Sequence, residues 1–299
     1  MDGIVKTKVL DGNRTAREIR NEIFREVRER QAKYGGRVPH LAAVLVGTDG
    51  GGEAYVRFKV KDCLEVGFES TLIRRPINIT EAELLDLVHE LNQDPAIDGF
   101  IVQLPLPPHI DPGKIIMAID PKKDVDGFHP ANVGRMVLGM EAFLPATPMG
   151  IIELCKRNDV ELAGKHVVVV GRSHIVGSPL SILLSRKQDG GNATVTLCHS
   201  ATPDVAVHTR RADVVVVALG KPDFLTADMV SEGCVVIDVG TTRVNDPSKK
   251  AGVALRGDVR FDEVVDKVAA ITPVPGGVGP MTRVALLLNT LKAAKGVVN

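Results

Sequence analysis

Short runs of valine, leucine and isoleucine alternate along the chain with longer segments whose apolar positions recur at helical spacing. The apolar runs predict strands at residues 40–46, 68–74, 99–103, 166–170, 193–198, 213–219 and 234–239. Residues 15–33 carry Ile19, Ile23 and Val27 on one face and predict a long amphipathic helix. Strands that are apolar throughout are typical of parallel sheets covered by helices on both faces. The pattern therefore predicts an α/β protein.

Capping residues refine the boundaries of these elements. Thr80-x-x-Glu83 matches a capping box that begins a helix, and Asp111 followed by Pro112 begins another. The polar stretch 241–257 is predicted to be a hairpin or a surface loop. Pro145-Ala146-Thr147-Pro148 has the composition of a linker ending in a threonine cap, so the first domain boundary is placed near Ala146.

The stretch from Lys165 to Leu180 reads as a strand, a tight turn and a helix, which is the first unit of a nucleotide-binding fold. Gly171 and Gly177 would let the backbone approach a pyrophosphate, and the free N–H groups of the helix N-terminus would stabilise it. The spacing G-x-S-x-x-x-G differs from the general dinucleotide fingerprint. A turn whose glycines serve packing alone therefore remains an alternative.

A second turn rich in glycine and proline spans residues 271–282 and is predicted to lead into a helix from Thr282 to Ala294. Its three glycines let the backbone lie against a flat ligand or phosphates, and its prolines make the loop rigid. A simple interdomain linker is the alternative interpretation.

Length and charge narrow the class of protein. A chain of 299 residues favours two domains, and 37 basic residues balance 37 acidic ones. A net charge of zero gives no electrostatic reason to expect a nucleic acid or a membrane partner. The N-terminal residues lack the apolar core of a signal peptide, and the four cysteines lack C-x-x-C spacing. These observations predict a cytoplasmic protein.

Four side chains could form a chemical site. Tyr55 and Lys59 share one face of a predicted helix, Gln103 lies at the carboxyl end of a strand, and Asp126 lies in a loop. Lys59 could act as a base only if burial lowered its pKa, and a solvated helix face is the alternative for this pair. Asp124 is interpreted as a capping or turn residue.

The Tyr-x-x-x-Lys spacing also occurs in short-chain dehydrogenases, where the pair follows the nucleotide turn. Here Tyr55 and Lys59 precede Gly171 by more than a hundred residues, so that assignment is rejected. No metal site is predicted, because His129, His174 and His199 lack ligand spacing.

The residues after the second strand of the nucleotide unit indicate the cofactor. NAD-binding folds place a carboxylate there for the ribose hydroxyls, but residues 198–202 contain none. Arg172 and Ser200 instead supply a cation and a donor for a 2′-phosphate, which favours NADP.

Taken together, these motifs resemble the bifunctional methylenetetrahydrofolate dehydrogenase/methenyltetrahydrofolate cyclohydrolase family over nearly the whole chain. The matching segments are Tyr55-Val56-x-x-Lys59, Gln103-Leu-Pro-Leu-Pro, Lys123-Asp-Val-Asp-Gly, Pro145-x-Thr-Pro, Val170-Gly-Arg-Ser-x-Ile-Val-Gly-x-Pro179 and Thr272-Pro-Val-Pro-Gly-Gly-Val-Gly-Pro-Met-Thr282. The resemblance implies oxidation of 5,10-methylenetetrahydrofolate to the methenyl form by NADP, and hydrolysis of that product to 10-formyltetrahydrofolate.

The resemblance also implies a fold and residue roles. A folate-binding catalytic α/β domain would comprise residues 1–146 and 280–299, a Rossmann-type NADP-binding domain with a parallel sheet would comprise 147–279, and a cleft would lie between them. Tyr55 would stack on the folate, Lys59 would be the catalytic amine and Gln103 would tune it. Further substrate-binding residues would be Asp126, Pro275, Gly276 and Gly279, and the cofactor-binding set would be Gly171, Arg172, Ser173, Gly177, Ser200 and Thr282. Relatives suggest a homodimer.

Four positions depart from what is common in the family: Gly52, Ala146, Ser178 and Ala201. Gly52 removes a hydroxyl from the expected active site, and Ala201 removes a possible partner of the 2′-phosphate. Two alternatives therefore stay open at this stage, a cyclohydrolase with weak or lost dehydrogenase activity and a non-enzymatic folate or nucleotide sensor.

Overall fold

A computed structural model describes residues 7–34, 36–47, 50–249 and 252–298. No helix within these ranges is both long and apolar enough to cross a membrane.

Helices and strands alternate along most of the chain. The helices are α1 (Gly12–Tyr34), α2 (Gly50–Glu65), α3 (Glu81–Gln93), α4 (Pro112–Ala118), α5 (Pro130–Leu138), α6 (Ala146–Arg157), α7 (Gly177–Ser185), α8 (Val205–Thr209), α9 (Phe261–Val264) and α10 (Val278–Ala294). The strands are β1 (Lys8–Val9), β2 (His40–Val46), β3 (Glu69–Arg75), β4 (Gly99–Val102), β5 (His166–Val170), β6 (Thr194–Cys198), β7 (Val214–Val217), β8 (Val235–Asp238), β9 (Thr242–Asn245), β10 (Val253–Arg256) and β11 (Ala270–Ile271).

The chain divides into two compact units. One comprises Arg17–Ala146 and Arg283–Asn299 and is called the three-stranded unit, because its sheet has the order β3-β2-β4. The other comprises Met1–Ala16 and Thr147–Thr282 and is called the six-stranded unit, with the order β1-β11-β8-β7-β5-β6. All neighbouring strands in both sheets are parallel.

The N-terminal segment does not group as the sequence analysis expected. The expected folate-binding domain of residues 1–146 and 280–299 includes residues 7–16, but these residues group with the six-stranded unit. The reason is strand pairing, because Lys8 and Val9 lie in register with Ala270 and Ile271 at the edge of that sheet. A two-residue strand carries no periodicity of its own, so its partner decides where it belongs.

Each sheet is covered by apolar side chains that the sequence pattern had indicated. In the three-stranded unit, Phe100 of β4 and Leu84 of α3 are fully buried in one core cluster. In the six-stranded unit, the valines of β5 and β7 are buried, and Val168 and Val215 belong to a second cluster. The prediction of parallel sheets in an α/β fold is confirmed.

Several local predictions are also confirmed. The Thr80–Glu83 capping box is present, with both reciprocal hydrogen bonds formed. Asp111 caps α4 by accepting a hydrogen bond from the Gly113 N–H at 2.8 Å. The polar stretch 241–257 contains the antiparallel hairpin of β9 and β10.

Three helix starts differ from the predictions. The Thr147 cap is wrong, because α6 already begins at Ala146. The last helix begins at Val278, not at Thr282, since the helix takes in part of the glycine- and proline-rich turn. Helix α1 begins at Gly12, three residues before the predicted Thr15, and α5 was not predicted at all.

Strand β2, the central strand of the three-stranded unit, begins at His40, which makes three contacts to residues of the neighbouring segments. The His40 main-chain N–H donates to the Asp98 carboxylate at 2.8 Å. Its ring Nδ1 lies 3.1 Å from the Ala96 carbonyl, and its Nε2 lies 2.8 Å from the Thr71 hydroxyl. One side chain therefore links β2 to both neighbouring strands at their amino ends.

The six-stranded unit repeats this arrangement at the start of β5. The His166 main-chain N–H donates to the Asp213 carboxylate at 2.8 Å. The ring Nδ1 lies 3.1 Å from the Arg211 carbonyl, and Nε2 lies 2.9 Å from the Thr196 hydroxyl. We call each of these arrangements a histidine brace.

Candidate active site

The three-stranded unit brings Lys59 and Gln103 together. Strand β4 ends at Val102, so Gln103 stands at its carboxyl end as predicted, and Lys59 faces it from α2. The Lys59 Nζ donates to the Gln103 Oε1 at 3.2 Å, and the Gln103 amide donates to the Leu104 carbonyl at 2.7 Å. Lys59 is only 6% exposed, which excludes the solvated helix face that was its alternative.

Burial sets the electrostatics of this lysine. It lowers the pKa of the Lys59 ammonium, and the nearby Asp126 carboxylate and, more weakly, Cys63 oppose that shift. Burial also raises the pKa of Asp126, while the Lys59 charge works against it. Since Gln103 is uncharged, its hydrogen bond to the amine stabilises the ammonium less than a bond to a carboxylate would.

Asp124 serves the structure of the loop, as the sequence interpretation held. Its carboxylate accepts hydrogen bonds from the Phe128 and His129 N–H groups at 3.2 and 2.8 Å, and from the Asn132 amide at 2.9 Å. Burial raises the pKa of Asp124 to about 6, although these three donors oppose the shift. These three contacts of the carboxylate lie in the loop and α5, so Asp124 fixes this segment, and Asp126 is the carboxylate beside Lys59.

Tyr55 and Gly52 are two positions that the sequence analysis connected with the folate site. Both lie in α2, four and seven residues before Lys59, but the Tyr55 side chain lies outside the described part of the structure. The proposed stacking role of Tyr55 therefore stays a prediction.

The Gly171 turn follows β5 in the six-stranded unit and is shaped by very close backbone approach. Gly171 has φ +119°, and a Cβ there would lie 2.2 Å from the Ala218 carbonyl oxygen. A Cβ on Gly177 would lie 1.8 Å from the Gly171 oxygen. These two glycines are therefore needed to form the turn itself, and the same geometry leaves a side-chain-free cradle of the kind that suits a pyrophosphate.

Polar side chains surround this turn. Strands β5 and β6 pair with Val170 opposite Cys198, so Arg172 and Ser200 follow the same edge of the sheet. Both are exposed, and Arg172 forms no salt bridge with any described residue. The Ser173 hydroxyl accepts a hydrogen bond from the Val176 N–H at 3.2 Å. The donor set fits the diphosphate and 2′-phosphate of a dinucleotide.

The second glycine-rich loop follows β11 at the same carboxyl edge. Gly276 has φ +105°, and its carbonyl accepts from the Asn13 N–H at 3.2 Å. A Cβ on Gly12 would lie 1.8 Å from the Gly277 oxygen. Pro275 is exposed within this loop, whereas Gly279 already lies inside α10. The support from Gly12 and Asn13 was missed, because no local pattern links them to a loop so distant in sequence.

Thr282 was assigned to the cofactor-binding set. Its hydroxyl lies 3.0 Å from the Thr147 hydroxyl and bonds the Val278 carbonyl of its own helix at 3.4 Å. The structure therefore joins Thr282 to the start of α6 and leaves its role toward a cofactor a prediction.

Two buried carboxylates that the sequence analysis did not single out hold the turns beside the nucleotide edge. Asp258 accepts from the Leu219 and Gly220 N–H groups at 2.6 and 2.9 Å. Asp238 accepts from the Gly240 N–H and from the Asp258 N–H, both at 2.9 Å. Burial raises the pKa of Asp238 to about 6, and the charge of Asp258 adds to that shift. They were missed because an aspartate after a strand looks like an ordinary turn residue.

The histidines considered for metal binding have other positions or partners. The His129 Nδ1 accepts the Ala131 N–H at 3.0 Å and so caps α5, and the His199 Nδ1 accepts the Ala201 N–H at 3.2 Å. His174 is exposed in the Gly171 turn. Within the described ranges, no group of three or more histidine, cysteine or acidic side chains could hold a metal ion.

Comparison with known proteins defines the class. Residues 10–126 match the catalytic domain of tetrahydrofolate dehydrogenase/cyclohydrolase, and residues 145–298 match its NAD(P)-binding domain. The chain belongs to this family and is a bifunctional dehydrogenase and cyclohydrolase that uses a nicotinamide dinucleotide.

Individual relatives cover nearly the whole chain. The bifunctional protein FolD of Flavobacterium johnsoniae is 60% identical over 96% of this chain and 97% of its own length. The Campylobacter jejuni bifunctional FolD structure has a TM-score of 0.90 at 43% identity, covering 98% of this chain and all of the other. A Trypanosoma brucei FolD structure, complexed with NADP cofactor and an inhibitor, has a TM-score of 0.93 at 41% identity and covers 98% and 99% of the two chains.

Proposed function

We propose that this chain oxidises 5,10-methylenetetrahydrofolate to the 5,10-methenyl form with NADP and then hydrolyses that product to 10-formyltetrahydrofolate, with Lys59 as the proton-handling group. The observation that carries this proposal is the buried Lys59 amine bonded to the neutral Gln103 amide, with Asp126 nearby. A buried amine with a lowered pKa can exchange protons near neutral pH, which a solvated lysine does poorly.

The hydrolysis gives Lys59 two tasks. Water adds to the carbon between the two folate nitrogens, and the neutral Lys59 amine accepts the proton that this water loses. The resulting ammonium then returns a proton to the folate nitrogen N5 as its bond to that carbon breaks. The hydroxyl on the carbon loses its proton to solvent as the C=O bond forms, which leaves the formyl group on N10 and releases one proton overall. Gln103 holds the amine in place through its Oε1, and Asp126 holds the pterin and stabilises the ammonium stage.

The dehydrogenase step needs alignment more than acid or base. NADP, when bound, accepts the hydride that leaves the methylene bridge. The chain's contribution is to fix both partners: for the folate, Tyr55 would stack on it and Pro275, Gly276 and Gly279 would line its binding site. Gly171, Gly177, Ser173 and Thr282 would hold the dinucleotide, and the exposed guanidinium of Arg172 with Ser200 supports NADP over NAD.

The test is Lys59→Met, which keeps the length of the side chain but cannot titrate. We expect cyclohydrolase activity to fall by at least about a thousandfold, in the range for loss of an essential acid–base group. Oxidation of methylenetetrahydrofolate should persist at a reduced rate, so that methenyltetrahydrofolate accumulates and is seen by its absorbance.

Lys61→Met is the matched control. Lys61 lies in the same helix, but its side chain is 70% exposed and pairs with Glu65. This variant should retain both activities. Unchanged hydrolysis in Lys59→Met would remove Lys59 from the mechanism, and equal loss of both activities with folate still bound would mean that it also aligns the bridge for hydride transfer.

We further propose a homodimer that works in the cytoplasm. Strand β3 is an edge strand that, within the described part of the chain, pairs with β2 alone, so a second copy could extend the sheet by pairing along it. The four cysteines are free and buried, which agrees with a reducing compartment. Sedimentation equilibrium of the wild type and of a Leu72→Pro variant tests the dimer, because the register of β3 with β2 turns the Leu72 N–H toward the free edge, where proline removes a strand donor.

A further inference from the structure

Asp126 lies in a loop whose amino-terminal side is held by two sets of contacts, those with strand β4 and those made by the Asp124 carboxylate. The Phe100 N–H of β4 donates to the Lys123 carbonyl at 3.0 Å, and Phe100 and Asp124 form an isolated parallel bridge. Asp124 then closes the loop through the N–H groups that follow it. These contacts fix residues 123–124 but touch neither Val125 nor the Asp126 side chain.

The other side of the loop is held by a residue some 160 positions further along the chain. Asn289 lies in α10 and is 2% exposed. Its Nδ2 donates to the Val125 carbonyl at 2.8 Å and to the Leu144 carbonyl, also at 2.8 Å. Both amide protons are used, and one of the two acceptors belongs to the peptide that leads directly into Asp126.

The backbone at this point leaves little room for adjustment. Gly127 has φ +73°, and a Cβ there would lie 2.5 Å from the Leu144 carbonyl carbon. A Cβ on Gly99 would lie 2.2 Å from a Val125 methyl group. Asn289 therefore joins the loop around Asp126 to the segment at Leu144. The two segments are already in close contact at Gly127, the residue after Asp126.

We propose that Asn289 is a positioning residue for Asp126: by binding the Val125 carbonyl, its amide sets where the Asp126 carboxylate stands relative to the Lys59 amine. This role rests on the proposed function, because a shift of Asp126 changes the reaction only if Lys59 and Asp126 act on the folate. Loss of Asn289 removes the amide donor from the buried Val125 carbonyl and from the half-buried Leu144 carbonyl. Turning Val125 toward another partner would relieve this and would move Asp126.

The effect on Lys59 has a defined sign. The Asp126 carboxylate from the loop raises the pKa of the Lys59 ammonium against burial, and Cys63 of the same helix contributes less, because burial raises the pKa of that thiol to about 12 and keeps it neutral near neutral pH. When Asp126 moves away, its contribution falls, so the pKa of Lys59 should fall further. The limb of the cyclohydrolase pH profile that reports Lys59 should then move to lower pH.

Asn289→Leu tests the proposal, because leucine has a similar size and donates no hydrogen bond. We expect the KM for methenyltetrahydrofolate to rise at least about tenfold, the size expected for misplacing one charged contact, and the Lys59 limb to move to lower pH. The KM for NADP should not change. Asn289→Ala is measured in its place if the leucine variant does not fold.

Thr290→Val is the matched control. Thr290 is the next residue in α10, is fully buried, and donates its hydroxyl hydrogen bond at 2.9 Å to Leu286 of the same helix. This variant should lose stability without any change in the KM for the folate or in the pH profile. If Asn289→Leu behaves in the same way, Asn289 is only structural and the proposal is overturned.

The outcome also separates this inference from the proposed function. An active Lys59→Met variant would overturn both. An inactive Lys59→Met variant together with an Asn289→Leu variant whose pH profile is unchanged would leave the proposed function intact and remove the role of Asn289.

Discussion

The segment from β2 to β4 and the segment from β5 to β7 are two βαβαβ halves built on the same plan. In each half the first strand lies between the other two, with the orders β3-β2-β4 and β6-β5-β7. Each begins with a histidine brace of nearly identical distances. At the carboxyl ends the halves differ entirely, because one presents Lys59 with Gln103 and the other presents the Gly171 turn.

The comparison separates what builds a half from what gives it chemistry. The amino-terminal edge is closed by the same three contacts in both halves, so the brace specifies strand order and register. The carboxyl edge is where parallel sheets expose loops and helix N-termini, and there a lysine and an amide serve one half while glycines serve the other. The residues at the carboxyl edge can differ between the halves because contacts at the amino-terminal edge hold the strands together.

The glycines that follow the two central strands give the largest expected difference between the halves. Gly171→Ala places a Cβ against the Ala218 carbonyl at positive φ and should cost about 3–5 kcal/mol of unfolding free energy. Gly47 has φ +76°, but a Cβ there would meet only the Ile77 side chain at 3.4 Å. Gly47→Ala should therefore cost about 1–2 kcal/mol, the strain of the left-handed backbone alone.

Chemical unfolding monitored with and without NADP measures both glycine effects. Gly171→Ala should also lose NADP binding, whereas Gly47→Ala should keep it. Equal costs at the two positions would mean that the two turns are under the same constraint and that the comparison at this edge fails.

Arg172→Ala tests whether the nucleotide chemistry of the second half is independent of the first. Removing a charge-assisted contact should weaken NADP binding about ten- to a hundredfold, or about 1.5–3 kcal/mol, and leave NAD binding and cyclohydrolase activity unchanged. Fluorescence titration with both cofactors gives the ratio. Lys187→Ala removes an exposed cation beyond the other end of α7 and should change neither affinity. A wild-type preference for NAD would show that the absence of a basic residue at Ala201 outweighs Arg172.

Substitutions in the two histidine braces should have the smallest effect on the free energy of unfolding, and the two costs should be nearly equal. His40→Ala and His166→Ala each remove two side-chain hydrogen bonds at half-buried sites, and each should cost about 1–2 kcal/mol. KM values for folate and NADP should stay at wild-type levels in both variants. Unfolding in denaturant provides the measurement, and a cost at one histidine without a comparable cost at the other would show that the braces are not equivalent.

The sequence predicted what is decided locally. Strand β2 was predicted with its observed ends, because an apolar run between polar and glycine boundaries needs no distant partner, and the Thr80 capping box forms within four residues. Gln103 and Lys59 could be paired in advance since strand ends and helix faces follow from spacing. Burial of Lys59, which makes it a candidate base, became visible only in the folded unit.

The parts that the sequence did not predict depend on distant contacts. Strand β1 is defined by pairing with β11, and the role of Asn289 is defined by carbonyls more than a hundred residues away. An asparagine inside an amphipathic helix and a two-residue apolar segment carry no signal by themselves. The start of α10 was misplaced because glycine and proline normally end helices, whereas here Gly279 and Pro280 lie in its first turn.

The pairing of β1 with β11 has a consequence for synthesis on the ribosome. Lys8 emerges about 260 residues before its partner Ala270, so at roughly 5–20 residues per second the N-terminal strand waits for tens of seconds before the sheet can accept it. During that interval the segment must stay unpaired, while β5, β6 and β7 can already assemble. Strand β1 is thus the first strand of this sheet to leave the ribosome and the last that the sheet can accept, whereas β5 to β8 and β11 are released in the order in which they can be added.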